Sequence, residues 1–374
     1  MALIAFSRSD TSVIGRWWWS VDRWLLFGFI ALIVFGFVMA MAATPMVADR
    51  IGLDQLYFVK RHFAYIVPSV LIMFGVSVLD RKQTKALCFM TLLIMLVMVI
   101  CTLLFGTPVK GAKRWITFAG ISIQPSEFVK PAFAVISAWL FSLQHINNRN
   151  IPGNKLAIGL YLFVVSLLIM QPDIGMTVVI TATWCGQFFL NGLSILFVIG
   201  SSIFAVFAFI AAYIFLPHVT VRVNKFLDPS SGDNYQINKS LEAFANGGAL
   251  GVGPGEGIVK RHLPDAHADF VFSVLGEEFG SVVCIILVCL FAFIFIRGAS
   301  KAMKEKDTFS FLALSGLLIQ FCIQSIINMA SALHMIPTKG MTLPFVSYGG
   351  SSMIAAGFTA GLILVFSNNR SGYE

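Results

Sequence analysis

The chain has 374 residues and a formal net charge of +8, with 57% of its residues hydrophobic and only 12% charged. Its mean hydropathy of +0.84 excludes a soluble globular domain of this length and predicts an all-α, polytopic integral membrane protein. All six cysteines (Cys88, Cys101, Cys185, Cys284, Cys289 and Cys322) lie in apolar runs without ligand spacing, which excludes a disulfide scaffold and a cysteine metal centre.

The first residues, MALIAFSRSDTSVIGRWWWSVDRW, show no small-residue cleavage site after a short apolar core, so no cleavable signal peptide is expected. Trp17, Trp18, Trp19 and Trp24 read as an interfacial belt leading into a first span. Windows long enough to cross about 30 Å of hydrocarbon fall near 24–43, 62–79, 86–106, 127–144, 156–171, 174–190, 194–216, 270–296, 309–332 and 348–366. They predict ten membrane helices in one unit over 1–374, with tails at 1–23 and 367–374 on the same side. Only Gln171, Pro172 and Asp173 separate the two runs over 156–190.

Lysine and arginine set the orientation. The raw count does not decide it, because five cations fall in the long 217–268 segment and three more between Lys110 and Arg114. With those set aside, the short connectors, DRKQTK and RGASKAMKEK above all, place both termini in the cytoplasm. The polar segments 107–126, 217–269 (the long loop between spans seven and eight) and 333–347 then share the outer face. No inner loop exceeds about a dozen residues and no Walker-type loop occurs, which argues against ATP-driven transport.

The first outer motif, KGAKRW from Lys110 to Trp115, sets three cations beside an aromatic. Arg114 offers a planar fork, and Lys113 a compact charge, suited to a diphosphate. An ordinary interface anchor has the same composition. In IQPSEFVKP, Ser126 reads as a helix N-cap with Glu127 in the first turn. Glu127 and Lys130 share a face and can pair, while Pro131 leaves the Glu127 carbonyl without its helix partner. Such groups at the end of a span are costly without a polar cavity, although a structural salt bridge at a capped helix start is the plainer reading. Asp173 repeats the theme and also suits a simple cap.

The long segment carries NYQINKSLEAFANGGALGVGPGEGIVKRHLPDAHADF. Lys239 to Phe244 predicts a short amphipathic helix. Gly247 to Gly257 predicts a backbone-rich loop, a weak phosphate-loop signal because no strand precedes it. Lys260, Arg261 and His262 follow it and suit an anionic ligand, unless the whole loop is a solvated linker.

From Leu263 to Gly280, LPDAHADFVFSVLGEEFG leads the loop into an apolar helix carrying Asp265, His267, Asp269, Glu277 and Glu278. Ionisable groups at such depth are rare and functional by default. One continuous helix would put Asp269 and Gly276 on a common face, Glu277 about 80° away and Glu278 opposite, with Glu277 roughly 12 Å deeper than Asp269. Asp269 is then the carboxylate at the membrane–water boundary. A helix N-terminus decorated with Asp for its dipole accounts for the same residues. Finally, in PTKGMTLPFVSYGGSS, Pro337 and Pro344 break the helix, and Gly349, Gly350, Ser351 and Ser352 open the last span. Free N–H groups there can hold an anion, with Lys339 nearby; close helix packing is the competing explanation. Cations, a carboxylate pair, one boundary Asp and a small-residue helix start thus share one leaflet, and the ligand they suit is a lipid with a diphosphate head.

GAKRW, QPSE with Lys130, QPDIG, the NYQ to GEE block and PFVSYGGSS occur in that order over about residues 20–370. Together they resemble the SEDS family (shape, elongation, division and sporulation), and PTKG before SYGGSS resembles its division-type branch. The resemblance implies a ten-span peptidoglycan glycosyltransferase that polymerises lipid II at the outer face of the bacterial cytoplasmic (inner) membrane, at the division septum. The partners it implies are a class B penicillin-binding transpeptidase and other divisome proteins; no nucleic acid is expected. Asp269 matches the family's essential aspartate, and Glu127 and Lys130 its functional carboxylate and lysine. Arg114 and the Ser347–Ser352 stretch, with Ser347, Gly349, Gly350 and Ser351, match further motif positions. Ala268 departs from the family, which commonly has Thr there.

On this reading Asp269 is the catalytic base, and Lys113, Arg114, Lys130 and Lys339, with His267 beside the base, meet the substrate. A divalent cation, Mg²⁺ or Mn²⁺, on the diphosphate is compatible with the reaction, though the sequence holds no dedicated cage. A lipid II flippase, a non-catalytic septal scaffold and an elongation-type polymerase are the rivals. A transporter needs access from both faces, and here the polar motifs cluster on one.

Overall fold

A computed structural model describes residues 12–50, 52–106, 113–118, 121–145, 152–192, 235–337 and 340–368, with scattered helical residues between 196 and 224. Its helices are α1 (Val13–Ser20), α2 (Arg23–Ala43), α3 (Pro45–Arg50), α4 (Tyr57–Ser77), α5 (Arg81–Phe105), α6 (Pro125–Ser142), α7 (Gly153–Met170), α8 (Ile174–Leu190), α9 (Tyr235–Gly247), α10 (Val271–Ala302), α11 (Thr308–Ala332) and α12 (Gly350–Phe366). A small antiparallel hairpin, β1 (Ile116–Phe118) with β2 (Ile121–Ile123), pairs Thr117 with Ser122 and leads into α6. Among the described residues six helical stretches are long and apolar enough to cross a bilayer, and α8 and α12 are shorter apolar helices. This is an all-α, multi-pass membrane protein. The expected span at 194–216 and the start of the 217–269 loop lie largely outside the described residues.

The membrane is visible in what the helices leave uncovered. Phe27, Val34, Val38 and Met41 on α2, Leu93, Val97 and Leu104 on α5, and Ile285, Ile286 and Ile296 on α10 are exposed. A soluble protein would bury such continuous faces. The interior is built around α6, buried along nearly its whole length from Pro125 to Ser142 and packed against α5, α7, α8, α11 and α12. Its Glu127 and Lys130 are therefore interior charges. The expectation that Ser126 caps this helix is corrected: Gln124 is the N-cap and Pro125 the first helical residue. Proline is favoured there because its missing N–H has no helical partner to lose.

The largest departure concerns α10. Gly280 adopts φ 79°, ψ 174°, and breaks the helix nine residues after it starts. The break orphans carbonyls on one side and N–H groups on the other, which in a bilayer must find partners. The glycine-rich loop supplies them. Val252 and Gly253 donate to the carbonyls of Glu277 and Glu278, both at 3.0 Å. Ser281 and Val282 donate to the carbonyls of Gly248 and Ala249, at 3.0 and 3.2 Å. The approach leaves no room for side chains: a Cβ on Gly247 would lie 2.0 Å from the Gly276 carbonyl oxygen, and one on Gly280 2.3 Å from that of Ala249. These glycines serve backbone contact, which displaces both the phosphate-loop and the solvated-linker readings.

Lys260 is corrected in the same way. It is buried, ion-paired with Glu278, and donates to the Ala42 carbonyl at the end of α2 at 2.9 Å. Glu277 accepts from the N–H groups of Val259 (2.7 Å) and Lys260 (2.8 Å) and from Asn246 (3.0 Å). Both glutamates therefore serve the loop. At the other end of α10, Arg297 and Lys301 meet Asp22, the N-cap of α2, at 2.7 and 3.0 Å.

Candidate active site

Asp269 lies on a turn ahead of α10. Asp265, at φ 52°, turns the chain so that its carbonyl accepts from both Ala268 and Asp269 at 3.0 Å, and the helix starts only at Val271. The face and depth relations expected from a continuous helix are therefore withdrawn. What holds the turn is its backbone: Tyr348 N–H donates to the His267 carbonyl (2.9 Å), Ser347 Oγ to the Ala268 carbonyl (2.6 Å) and Asn328 Nδ2 to the Asp269 carbonyl (3.1 Å). Three consecutive carbonyls are thus pinned, and the Asp269 side chain stays half-buried. A Cβ on Gly340 would stand 3.4 Å from Asp269 Oδ2, so Gly340 lies directly beside the carboxylate. Lys339, like Lys110, lies outside the described residues.

The second part of the site is the α6 start. Lys130 Nζ is 2.7 Å from Glu127 Oε2 and 2.7 Å from Gln324 Oε1, with all three side chains buried. Gln324 Nε2 donates on to the Thr342 carbonyl (3.0 Å), and Asn328 Nδ2 also reaches the Met341 carbonyl (2.6 Å). The 340–348 loop is thereby bonded to the Lys130 pair at one end and to the Asp269 turn at the other. Glu127, Lys130, Gln320, Gln324, Pro344 and Ser352 line a cavity between α6, α11 and α12.

Arg114 approaches from the hairpin side. It donates to the Pro172 carbonyl and lies 3.8 Å from Asp173 Oδ1, whose other oxygen accepts from Gln124. Burial pushes the Asp173 carboxyl up from its ordinary range, while the Arg114 guanidinium and the Met176 N–H oppose the shift. Asp173 is at once the α8 cap and the acidic neighbour of Arg114. Lys113 is exposed beside it.

The SYGGSS stretch is used for packing. A Cβ on Gly350 would lie 2.6 Å from the Tyr65 ring, and one on Gly357 2.3 Å from the Ser69 carbonyl oxygen, so small residues let α12 lie against α4. Ser347 is a brace for the Asp269 turn, and Gly349 is the N-cap of α12. His267 packs between Phe58 and Tyr348, each at 5.3 Å between ring centroids.

Gln324 and Asn328 carry the connection, and the sequence reading passed over them. Their signal was available: Gln320, Gln324 and Asn328 recur every four residues, a polar stripe on an otherwise apolar helix. Among the described residues no group of three or more His, Cys, Asp and Glu could hold a metal ion.

The family model described as cell cycle protein, grouping FtsW, RodA and SpoVE, matches residues 23–372. The chain belongs to this family. It is the SEDS family that the motifs resemble. Among SEDS relatives, the probable peptidoglycan glycosyltransferase FtsW of Caulobacter vibrioides is 42% identical over 369 residues, covering 98% of this chain and 94% of that protein. The probable peptidoglycan glycosyltransferase FtsW of Shewanella sediminis is 35% identical, covering 89% and 83%. A chain from a peptidoglycan synthase complex, described for its coordination of polymerization and crosslinking, superposes with TM-score 0.79 at 27% identity, covering 93% of this chain and 97% of that one.

Proposed function

We propose that this SEDS protein is the division-type peptidoglycan glycosyltransferase, joining lipid II units into glycan strands. The 4-hydroxyl of an acceptor N-acetylglucosamine attacks the anomeric carbon of the N-acetylmuramic acid that ends the growing chain. The bond from that carbon to the diphosphate oxygen breaks, and undecaprenyl diphosphate leaves. The hydroxyl proton passes to the Asp269 carboxylate as the new bond forms. Lys113, Arg114, Lys130 and Lys339 offset the charge developing on the diphosphate.

The observation that carries this reading is the pinned turn. The three braced carbonyls of His267, Ala268 and Asp269 fix the backbone beneath a half-buried carboxylate. Rigid placement is what a general base needs, because the chemistry tolerates little displacement.

The full topology belongs to the same reading: ten spans, the 217–269 loop outside, both termini cytoplasmic and the protein at the septum beside a class B penicillin-binding transpeptidase. A reporter fused after Ser231 is expected to behave as extracytoplasmic and one after Lys304 as cytoplasmic; the reverse pattern would put the site on the wrong face. Purified protein given lipid II, with the products run on a polymer gel, separates the polymerase from a flippase and from a scaffold, neither of which makes strands.

A further inference from the structure

The cations of the described site are not equivalent. Lys130 faces Glu127 at 2.7 Å and Arg114 faces Asp173 at 3.8 Å, so these two cations and two carboxylates sum to zero charge. A diphosphate arriving there meets a neutral wall, with Lys113 exposed at its edge. Across the Asp269 turn stands another cation. Arg61, on the first turns of α4, donates from Nη1 to the Tyr57 hydroxyl at 3.0 Å and from Nη2 to the Tyr65 hydroxyl at 3.4 Å. Tyr57 and Tyr65 are its neighbours four residues back and four ahead, on one helix face. None of the ion pairs among the described residues involves Arg61.

The adjoining stripe of α4, with Phe58 and His62, packs directly on the pinned turn. Phe58 meets His267 at 5.3 Å and Tyr348 at 5.2 Å, and His62 meets Tyr348 at 6.1 Å. His62 Nε2 is buried there with no hydrogen-bond partner. Tyr65 lies where a side chain on Gly350 would stand, so the glycine of the SYGG motif makes room for the ring that orients Arg61. A guanidinium has five N–H donors in a planar fork, and two phenols leave most of them and the whole charge uncompensated.

We infer that Arg61, held by Tyr57 and Tyr65, binds a phosphate of a lipid-linked diphosphate on the α4 side of the site. The inference rests on reading the site as a lipid II polymerase, in which every condensation brings together two lipid-linked diphosphates. One of them can lie along the α6 wall, with Lys130 and Arg114. The other takes the α4 wall and Arg61.

The test reads binding without turnover. The full-length protein and the Arg61→Gln, Arg61→Lys and Tyr57→Phe variants are placed in phosphatidylcholine nanodiscs and titrated with undecaprenyl diphosphate. Loss of a charge-assisted phosphate contact raises Kd about 10-fold or more in Arg61→Gln. Arg61→Lys keeps the charge without the fork and falls between, and Tyr57→Phe loses less than Arg61→Gln. Inorganic diphosphate in solution competes with the lipid in the parent, and Arg61→Gln loses the share of that competition that belongs to the α4 wall. Unchanged Kd in a folded Arg61→Gln protein overturns the inference, and so does an equal effect on phosphatidylglycerol, which would make Arg61 a bilayer anchor. If Arg61→Gln does not fold, the Arg61→Lys titration decides, and a parental Kd and parental competition there overturn the inference. Failure of the parent to polymerise lipid II would overturn the reading of the site, a result separate from any of these.

Discussion

The Lys260 ammonium joins the Glu278 carboxylate to the Ala42 carbonyl, so one buried charge ties the long loop, the broken α10 and the end of α2 together. From Lys260 the chain runs nine residues to Asp269. Removing the cation alone leaves a carboxylate buried without its partner, which typically costs about 3–5 kcal/mol. Lys260→Met is therefore expected to lower the thermal unfolding temperature of the detergent-purified protein sharply. Adding Glu278→Gln removes the stranded charge and is expected to recover most of that loss. Parental stability in the single variant would show that the pair holds nothing.

At the start of α6 the expected outcome is different. Lys130→Ala is expected to lower polymerisation by about 100-fold or more, the usual cost of deleting one preorganised donor. Part of that loss could come from stranding Glu127, only 2.7 Å away. The double variant with Glu127→Gln separates the two: stability is expected to return and activity is not. Lys130→Arg is not expected to rescue, because a planar fork does not fit where Glu127 and Gln324 both grip one nitrogen. Polymerisation by the double variant at the parental rate would make the lysine structural.

How much of this the sequence carries depends on the kind of interaction. Span positions follow from hydropathy and length, which are local: windows at 24–43 and 309–332 fall within a residue of Arg23–Ala43 and Thr308–Ala332. Glu127 and Lys130 are legible as a pair because three-residue spacing on a helix is local too. The Gly280 break is not, because it is stable only with Gly247 to Gly253 bonded across it, and a tertiary partner leaves no mark on hydropathy. For the same reason Lys260, read as a loop cation beside Arg261 and His262, proves to be a buried one. The role of Arg61 needs the fold as well, since Tyr348 and His267 reach α4 only through the packing of α12.

At the opposite end of α10, Asp22 accepts from Arg297 and lies near Lys301, and it also caps α2 through the Trp24 and Leu25 N–H groups. Burial alone would raise its carboxyl; the Arg297 contact, the Leu25 N–H and Lys301 outweigh that and hold it below its ordinary 3.8. A carboxylate with a depressed pKa stabilises the fold fully above its unfolded value and loses the contribution as pH falls through the folded one. Asp22→Asn keeps the cap, since Asn caps as well as Asp, and loses the ion pairs. It is expected to cost about 1–3 kcal/mol near neutral pH. The gap to the parent should close as pH drops below 3.8. Thermal unfolding of both proteins across pH checks this, and a gap that persists in acid would contradict it.

The central claim is that Asp269 takes the proton. Asp269→Asn keeps the shape, the turn and its three braced carbonyls, and removes only the basicity. The measurement is glycan-strand synthesis from purified lipid II with the transpeptidase partner present, beside lipid II binding by the same preparation. Polymerisation is expected to fall about 10²–10⁴-fold, the range a positioned general base supplies, with binding unchanged. Strands of parental length and yield from the Asn variant would contradict the account and return the flippase reading to the front.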